Sequence, residues 1–303
     1  MPHYFLVSNA GLALFSLLLL SFHLRSIAGG SVYDFELDLG AIPDSRSVST
    51  ALKNSAILQL ALQTTLQGGG NTVYVPPGKV FYLQGGIQAS NVNDATLHID
   101  GTLKFIGFDI KSWPMREFMA KHPSKKAKKN MPHECIELTD VSNFKITSTT
   151  NERTRDGRGI IDGSGPYWWG IPILGYIQRG TMRPHLLYIH GSETKQSDGT
   201  TVQNMNSNII IENIVLKDSP RWTAVLHDMI NLKVRDCSVV ARRTPYDGHS
   251  LVDMSAFNTD GFDISGHDVH VHDVDVWNQD DWYATRTTPT AAPPPSPPEP
   301  EKF

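Results

Sequence analysis

Three nine-residue segments, NIIIENIVL from Asn208, NLKVRDCSV from Asn231 and DVHVHDVDV from Asp268, align without a gap. Each opens on Asn or Asp and carries another five places on. Apolar residues follow at one, three, six and eight places: Ile209, Ile211, Ile214 and Leu216; Leu232, Val234, Cys237 and Val239; Val269, Val271, Val274 and Val276. Alternation by two within each half is the period of a strand, not of a helix. The first two copies lie 23 residues apart and the third 37 further on, one turn plus an insertion around Arg242 to Leu251. A fainter copy, NFKITST, begins at Asn143. Such a repeat predicts an all-β chain wound as a parallel β-helix, a solenoid whose coils pair about 4.8 Å apart and are unstable singly. The Asn and Asp positions fall at corners, where these residues tolerate left-handed backbone and bond it locally. A sandwich or barrel of hairpins is the competing architecture; it calls for Asn-Gly or Asp-Gly two-residue turns, which these repeats lack.

The register sets smaller expectations. Cys237 shares the slot of Ile214 and Val274, so it should be buried, and Cys135 lies several coils earlier, which leaves two free thiols. His270 and His272 share a strand face as a zinc pair would. They occupy slots filled elsewhere by Ile210, Lys233, Glu212 and Arg235, which places them on the solvated surface. SVSTALKNSAILQLALQTTLQGGG predicts one amphipathic helix, started by Ser47 or Ser49, stopped by Gly68 to Gly70 and capping the solenoid. That glycine run lacks the Lys-Ser/Thr of a phosphate loop and is a turn. Lys121, Lys125, Lys126, Lys128 and Lys129 form a solvated basic loop.

Residues 1–28 combine an apolar run from Gly11 to Leu20 with Ser26-Ile27-Ala28, the pattern of a secretory signal peptide and too short for a membrane span. Residues 29–286 form the solenoid, and residues 287–303 a proline-rich tail. With 40% hydrophobic residues and a net charge of −4, the chain is neither disordered in bulk nor marked for nucleic acid. Two cysteines exclude a disulfide scaffold. The expectation is a secreted, extracellular monomer, free of membrane once the signal is cut.

In FNTDGFDISGHDVHVHDVDVWNQDDW, which starts at Phe257, Asp260 precedes Asp280 and Asp281 by 20 and 21 residues, about one coil. Carboxylates stacked about 5 Å apart cannot all ionise freely, so at least one pKa rises. A protonated acid beside a carboxylate is what hydrolysis of a glycosidic bond needs. On a regular strand Asp280 and Asp281 would point to opposite faces, so both reach one groove only across a bend or bulge. The same aspartates could serve corners or bind calcium, and spacing alone leaves these readings open.

FNTDGFDIS followed by NQDD resembles the polygalacturonase family, glycoside hydrolase family 28. VYVPPGKVFYLQGGI from Val73, DGTLKF from Asp100, GRGIIDGSGPYWW from Gly157, RPHLLYI from Arg183 and LKDSPRWT from Leu216 are similar to family segments in family order, over roughly Ala41 to Thr285. The resemblance implies a right-handed parallel β-helix that cleaves α-1,4-linked galacturonan, the backbone of pectin, with inversion. It implies that Asp280 is the general acid, that Asp260 and Asp281 hold and activate water, and that Asn258 and Gln279 orient carboxylates or substrate hydroxyls. The implied partner is a polysaccharide, with no metal and no cofactor. The sequence departs from the family in Trp282, where Cys is usual, and holds neither Gly-His-Gly nor Arg-Ile-Lys. TTPTAAPPPSPPEPEKF follows instead, with seven prolines from Pro289 to Pro300, an extended tail that cannot supply sheet hydrogen bonds. The expectation is a pectinase lacking its C-terminal coils, with an exposed edge on its last coil and Arg221, Arg242 and Arg243 as candidate counter-charges. A non-catalytic polysaccharide-binding pseudoenzyme and a hydrolase of rhamnogalacturonan or xylogalacturonan are the alternatives.

Overall fold

The computed structural model describes residues 30–65, 69–119, 128–149, 159–170, 182–244 and 252–285. The signal segment, Gly68, Lys121, Lys125, Lys126, most of the insertion after Thr244 and the proline-rich tail lie outside them.

The repeat winds into a parallel β-helix of three strand stacks, each six coils deep, and Val32–Asp34 adds a seventh parallel strand to the start of the first stack, against Asn71–Val75. The first stack runs through Asn71–Val75, Asn93–Ile99, Ser142–Thr147, Asn206–Glu212 and the later halves of Ala224–Arg235 and Phe262–His272. The second is Val80–Leu83, Thr102–Phe105, Gly159–Asp162, Ile214–Lys217, Ser238–Val240 and Asp275–Trp277. The third is Ile87–Ser90, Ile136–Thr139, Leu187–His190, the opening residues of Ala224–Arg235 and of Phe262–His272, and Tyr283–Thr285. An irregularity between Leu226 and Met229 lets one strand turn the corner from the third stack into the first.

The three sequence copies lie in the expected register. Ile209 pairs with Leu232 and Leu232 with Val269, while Leu216 pairs with Val239 and Val239 with Val276. Asn208, Asn213, Asn231, Asp236, Asp268 and Asp273 all adopt left-handed backbone, with φ between 52° and 57°. The corner amides also join the coils: Asn231 Nδ2 donates to Asn208 Oδ1 at 2.8 Å, and Asn208 Nδ2 to Asn143 Oδ1 at 2.8 Å. Inside, Phe81, Leu103, Ile161, Leu216 and Val239 stack in one row across five coils, each at most 1% exposed. Burial of each such side chain contributes about 1.5–3 kcal/mol. Cys135 and Cys237 are buried free thiols, and His270 and His272 are exposed.

The helix spans Val48–Leu60, with Ser47 as its N-cap accepting the Thr50 N–H at 3.1 Å. Its buried face differs from an apolar stripe: Ala51 and Leu58 share it with Asn54 and Ser55. The reason is the open edge of the first coil. Asn54 Nδ2 donates to the Tyr82 carbonyl at 3.1 Å, Ser55 Oγ exchanges bonds of 2.7 Å with both Gln84 backbone groups, and Gln59 Oε1 accepts the Gln88 N–H at 3.0 Å. Side chains thus stand in for the missing neighbouring strand. Among the described residues no helix is long and apolar enough to cross a membrane.

Candidate active site

The turns from the second stack to the third carry the aspartates. Phe257 bridges Gln279 in parallel, and the Gly261 and Phe262 N–H groups donate to the Asp281 and Trp282 carbonyls at 2.9 and 3.2 Å. Since Phe262 pairs with Tyr283, Asp281 lies over Asp260 one coil on. The approach is close enough that a Cβ on Gly261 would fall 2.5 Å from the Trp282 carbonyl oxygen, so only glycine fits. Thr259 is fully buried; its Oγ1 donates to Ala256 O at 2.7 Å and accepts the Gln279 N–H at 3.2 Å. Asn278 staples the two turns, donating to Thr259 O at 3.0 Å and Asp281 O at 2.9 Å.

These bonds bring all three aspartates together. One oxygen from each of Asp260, Asp280 and Asp281 lies within 4.8 Å of the others. Asp280 and Asp281 reach one point because they occupy a bend between strands, where the Asp281 N–H folds back onto Asp280 Oδ1 at 3.0 Å. Asp260 is buried and the other two are exposed. Burial, then the neighbouring charge of Asp280 and more weakly that of Asp281, pushes the Asp260 carboxyl up to about 6. Asn258 flanks it, with Nδ2 3.4 Å from Asp260 Oδ1. Gln279 enters through its backbone, by the bridge and the bond to Thr259. Three carboxylates supply only part of the 6–8 oxygens that calcium takes.

A raised carboxyl is not by itself a site. Asp218 is pushed up to about 7 by burial and by Asp162, yet it follows a second-stack strand, with Lys217 at 4.0 Å and Lys104 holding Asp162 at 2.5 Å. Of the candidate counter-charges, Arg243 turns inward to Ser255 Oγ and the Gly170 carbonyl, and Arg242 is buried over the Trp277 ring at 5.2 Å. Arg221 is half-buried over Trp222 at 4.4 Å, on the turn one coil before Asp260. Sequence reasoning missed Arg183, whose buried guanidinium lies over the Phe257 ring and donates to the Phe257 carbonyl at 2.7 Å. Burial and the nearby Arg221 lower its pKa to about 10. It also missed Asn278; the available signal was an amide immediately ahead of the Gln-Asp-Asp turn.

Stacked parallel coils holding a carboxylate cluster at one turn define the class as a parallel β-helix protein, and the comparisons give the family. The profile of glycosyl hydrolases family 28 matches residues 67–288, so the chain belongs to that family. Endo-xylogalacturonan hydrolase A of Aspergillus tubingensis is 28% identical over 137 residues, 45% of this chain and 27% of that protein. Exopolygalacturonase A of Aspergillus niger is 25% identical over 203 residues, 67% of this chain and 37% of its own. The chain therefore spans well under half the length of these curated relatives. The crystal structure of endo-xylogalacturonan hydrolase from Aspergillus tubingensis superposes with a TM-score of 0.55 at 22% identity, covering 84% of this chain and 56% of that one. An exopolygalacturonase from Thermotoga maritima gives 0.54 at 17% identity, covering 88% and 56%. At these identities the structures establish the shared fold.

Proposed function

We propose that the protein is a secreted glycosidase that hydrolyses α-1,4-galacturonosidic bonds of pectin-type polysaccharide, with Asp260, Asp280 and Asp281 as its catalytic groups. The observation that carries this is the meeting of three carboxylates from two successive coils within 4.8 Å, one of them pushed up to about 6. Asp280, on the open side of the cluster, protonates the leaving oxygen. Asp260 and Asp281, in register on adjacent coils, hold the attacking water and take its proton. A water donating bonds of about 2.7 Å to both needs acceptors roughly 4.3 Å apart, a separation that oxygens within 4.8 Å of one another allow. A carboxylate whose pKa is pushed up to about 6 is a stronger base than an ordinary one, which suits Asp260 to taking the proton of the water.

The compact spacing is shorter than the 6.5–9.5 Å common to inverting pairs and nearer the roughly 5 Å of retaining ones. The third carboxylate removes the conflict, because the water sits between two aspartates while the third acts as acid. Product stereochemistry is the direct test. Reducing-end release from polygalacturonate, with the β-anomer formed first by NMR, supports this mechanism; α-anomer first would replace it with a covalent one. Asp280→Asn should lower turnover about 10²–10⁴-fold without changing Tm. Wild-type protein that binds pectin and releases no ends would leave a polysaccharide-binding module. Extracellular export through residues 1–28 and a monomeric solenoid over residues 29–286 complete the proposal; N-terminal sequencing and light scattering of the secreted protein check them.

A further inference from the structure

The two ends of the solenoid are finished differently. At the first coil the helix Val48–Leu60 lays Asn54, Ser55 and Gln59 along the open strand edge and bonds it. At the sixth coil the later half of Phe262–His272, the strand Asp275–Trp277 and the strand Tyr283–Thr285 each pair on one side only among the described residues. The interior shows the same asymmetry. Leu232, Val234, Cys237 and Val239 are buried on the fifth coil, whereas Val269, Val271, Val274 and Val276, in the same slots on the sixth, are half-buried.

Trp282 belongs to this end and not to the groove. Ala224 pairs with Phe262 and Phe262 with Tyr283, so Trp282 continues the slot of Gly261 and of the fully buried Thr223. A Cβ on Gly261 would lie 3.1 Å from Val276 Cγ1, which marks the slot as facing the interior. Among the described residues no strand follows beneath it, and Trp282 is 59% exposed. Its ring stands 5.3 Å from the half-buried Tyr283 ring, tilted by 32°.

The chain continues from Thr285, three residues past Trp282, as RTTPTAAPPPSPPEPEKF. Pro293 to Pro300 holds six prolines in eight positions, a composition that favours a polyproline II rod of about 3.1 Å per residue, roughly 25 Å in all. Residues 286–292 between them reach up to about 23 Å, more than the roughly 10 Å length of a three-residue strand, so the rod can fold back over the two rings. A polyproline rod docks on aromatic side chains at low entropic cost because its φ angles are already fixed. Its carbonyls accept from edge N–H groups, and its prolines offer no N–H to a further strand. The run from Pro293 to Pro298 is uncharged and meets no repulsion beside Asp280 and Asp281. On the rim Asp268 and Asp273 are held by His267 and His272 at 3.1 and 2.8 Å.

We propose that the run Pro293–Pro298 docks on Trp282 and Tyr283 and caps this end of the solenoid, steadying the coil that presents Asp280 and Asp281. Hydrogen exchange of the full chain, read by mass spectrometry, tests this without turnover. One variant carries Pro293→Ser, Pro294→Ser, Pro295→Ser, Pro297→Ser and Pro298→Ser together, which keeps length and charge; the other is Trp282→Ala. Each should speed exchange in peptides from residues 262–285 about tenfold and leave peptides from residues 71–105 unchanged. Combined, they should exceed either alone by less than about twofold, because both remove one contact. Unchanged exchange in the serine variant, or effects that multiply in the combined one, overturns the proposal. If Trp282→Ala loosens the whole solenoid, the serine variant alone decides. A full chain that is dimeric by light scattering, and whose protection over residues 262–285 falls on dilution, puts a second copy on this end and likewise overturns it.

Discussion

Glu134 and Glu137 lie on the second coil of the third stack, and Asp260, Asp280 and Asp281 on the turns that lead into it on the fifth and sixth. Burial does not distinguish Glu134 from Asp260, at 3% and 7% exposed. Partners do. Each glutamate has an imidazole and shares a guanidinium, and its pKa falls; Asp260 has other aspartates for neighbours, and its pKa rises to about 6. The first arrangement is a settled one that shapes a surface, while the second stores repulsion that proton transfer relieves. Chemistry belongs where the charge is left uncompensated.

That contrast can be broken by opposite responses to removing charge. The largest expected effect is at Asp260→Asn, which should lower turnover about 10³-fold or more while raising Tm at pH 7. A carboxyl whose folded pKa is near 6 and whose unfolded value is 3.8 gives stability that is present below about pH 4 and lost as pH rises through 6. The gain in Tm should therefore appear above pH 6, at about 2–4 °C per kcal/mol for a chain of this size, and vanish at pH 4. A fall in Tm at neutral pH would break the comparison. Glu134→Gln should act the other way, costing about 3 kcal/mol in urea denaturation at pH 7, because it strands Arg116 and the His185 N–H. Here the folded pKa is depressed, so the deficit should shrink as pH falls below the ordinary glutamate value of 4.5.

Smaller effects sharpen the geometry. Asn278→Ala removes one bond between the turns, to Thr259 O, and one within its own turn, to Asp281 O, and should cost about 1–2 kcal/mol, with kcat falling and KM held, because the carboxylates splay. Asn258→Gly keeps the left-handed backbone at φ 60° and loses only the 3.4 Å contact to Asp260. It should cost under about 0.5–1 kcal/mol and shift the acidic limb of the pH–rate profile slightly.

The fold was legible because a period of two, interrupted at fixed intervals by Asn and Asp, has one economical solution. All six corner residues of the three copies took left-handed backbone, and three of the four apolar slots paired in register. The co-location of Asp260 with Asp280 and Asp281 was legible for the same reason, since one coil separates them. The third stack was not. Ile136–Thr139 and Leu187–His190 follow insertions of varying length, among them the hairpin of Met115–Met119 with Lys128–Pro132, so no repeat spacing announces them. The ion pairs of Glu134 and Glu137 with Arg116, His185 and His190 were invisible for that reason. Nor could spacing show that Arg243 turns inward, or that the capping helix needs Asn54 and Ser55 on its buried face, because those choices answer to backbone groups distant in sequence.

The amide ladder through Asn143, Asn208 and Asn231 has a consequence for how such a chain can vary. It works as a phase marker. Deleting one residue between Asn208 and Asn213 would turn Ile209 and Ile211 outward and put the next amide out of step, whereas extra length placed between markers, such as the hairpin of Glu193–Lys195 with Thr201–Gln203, leaves the phase untouched. Variation is thereby channelled into excursions beside the groove, and the walls of the groove can diversify while the acidic centre stays fixed.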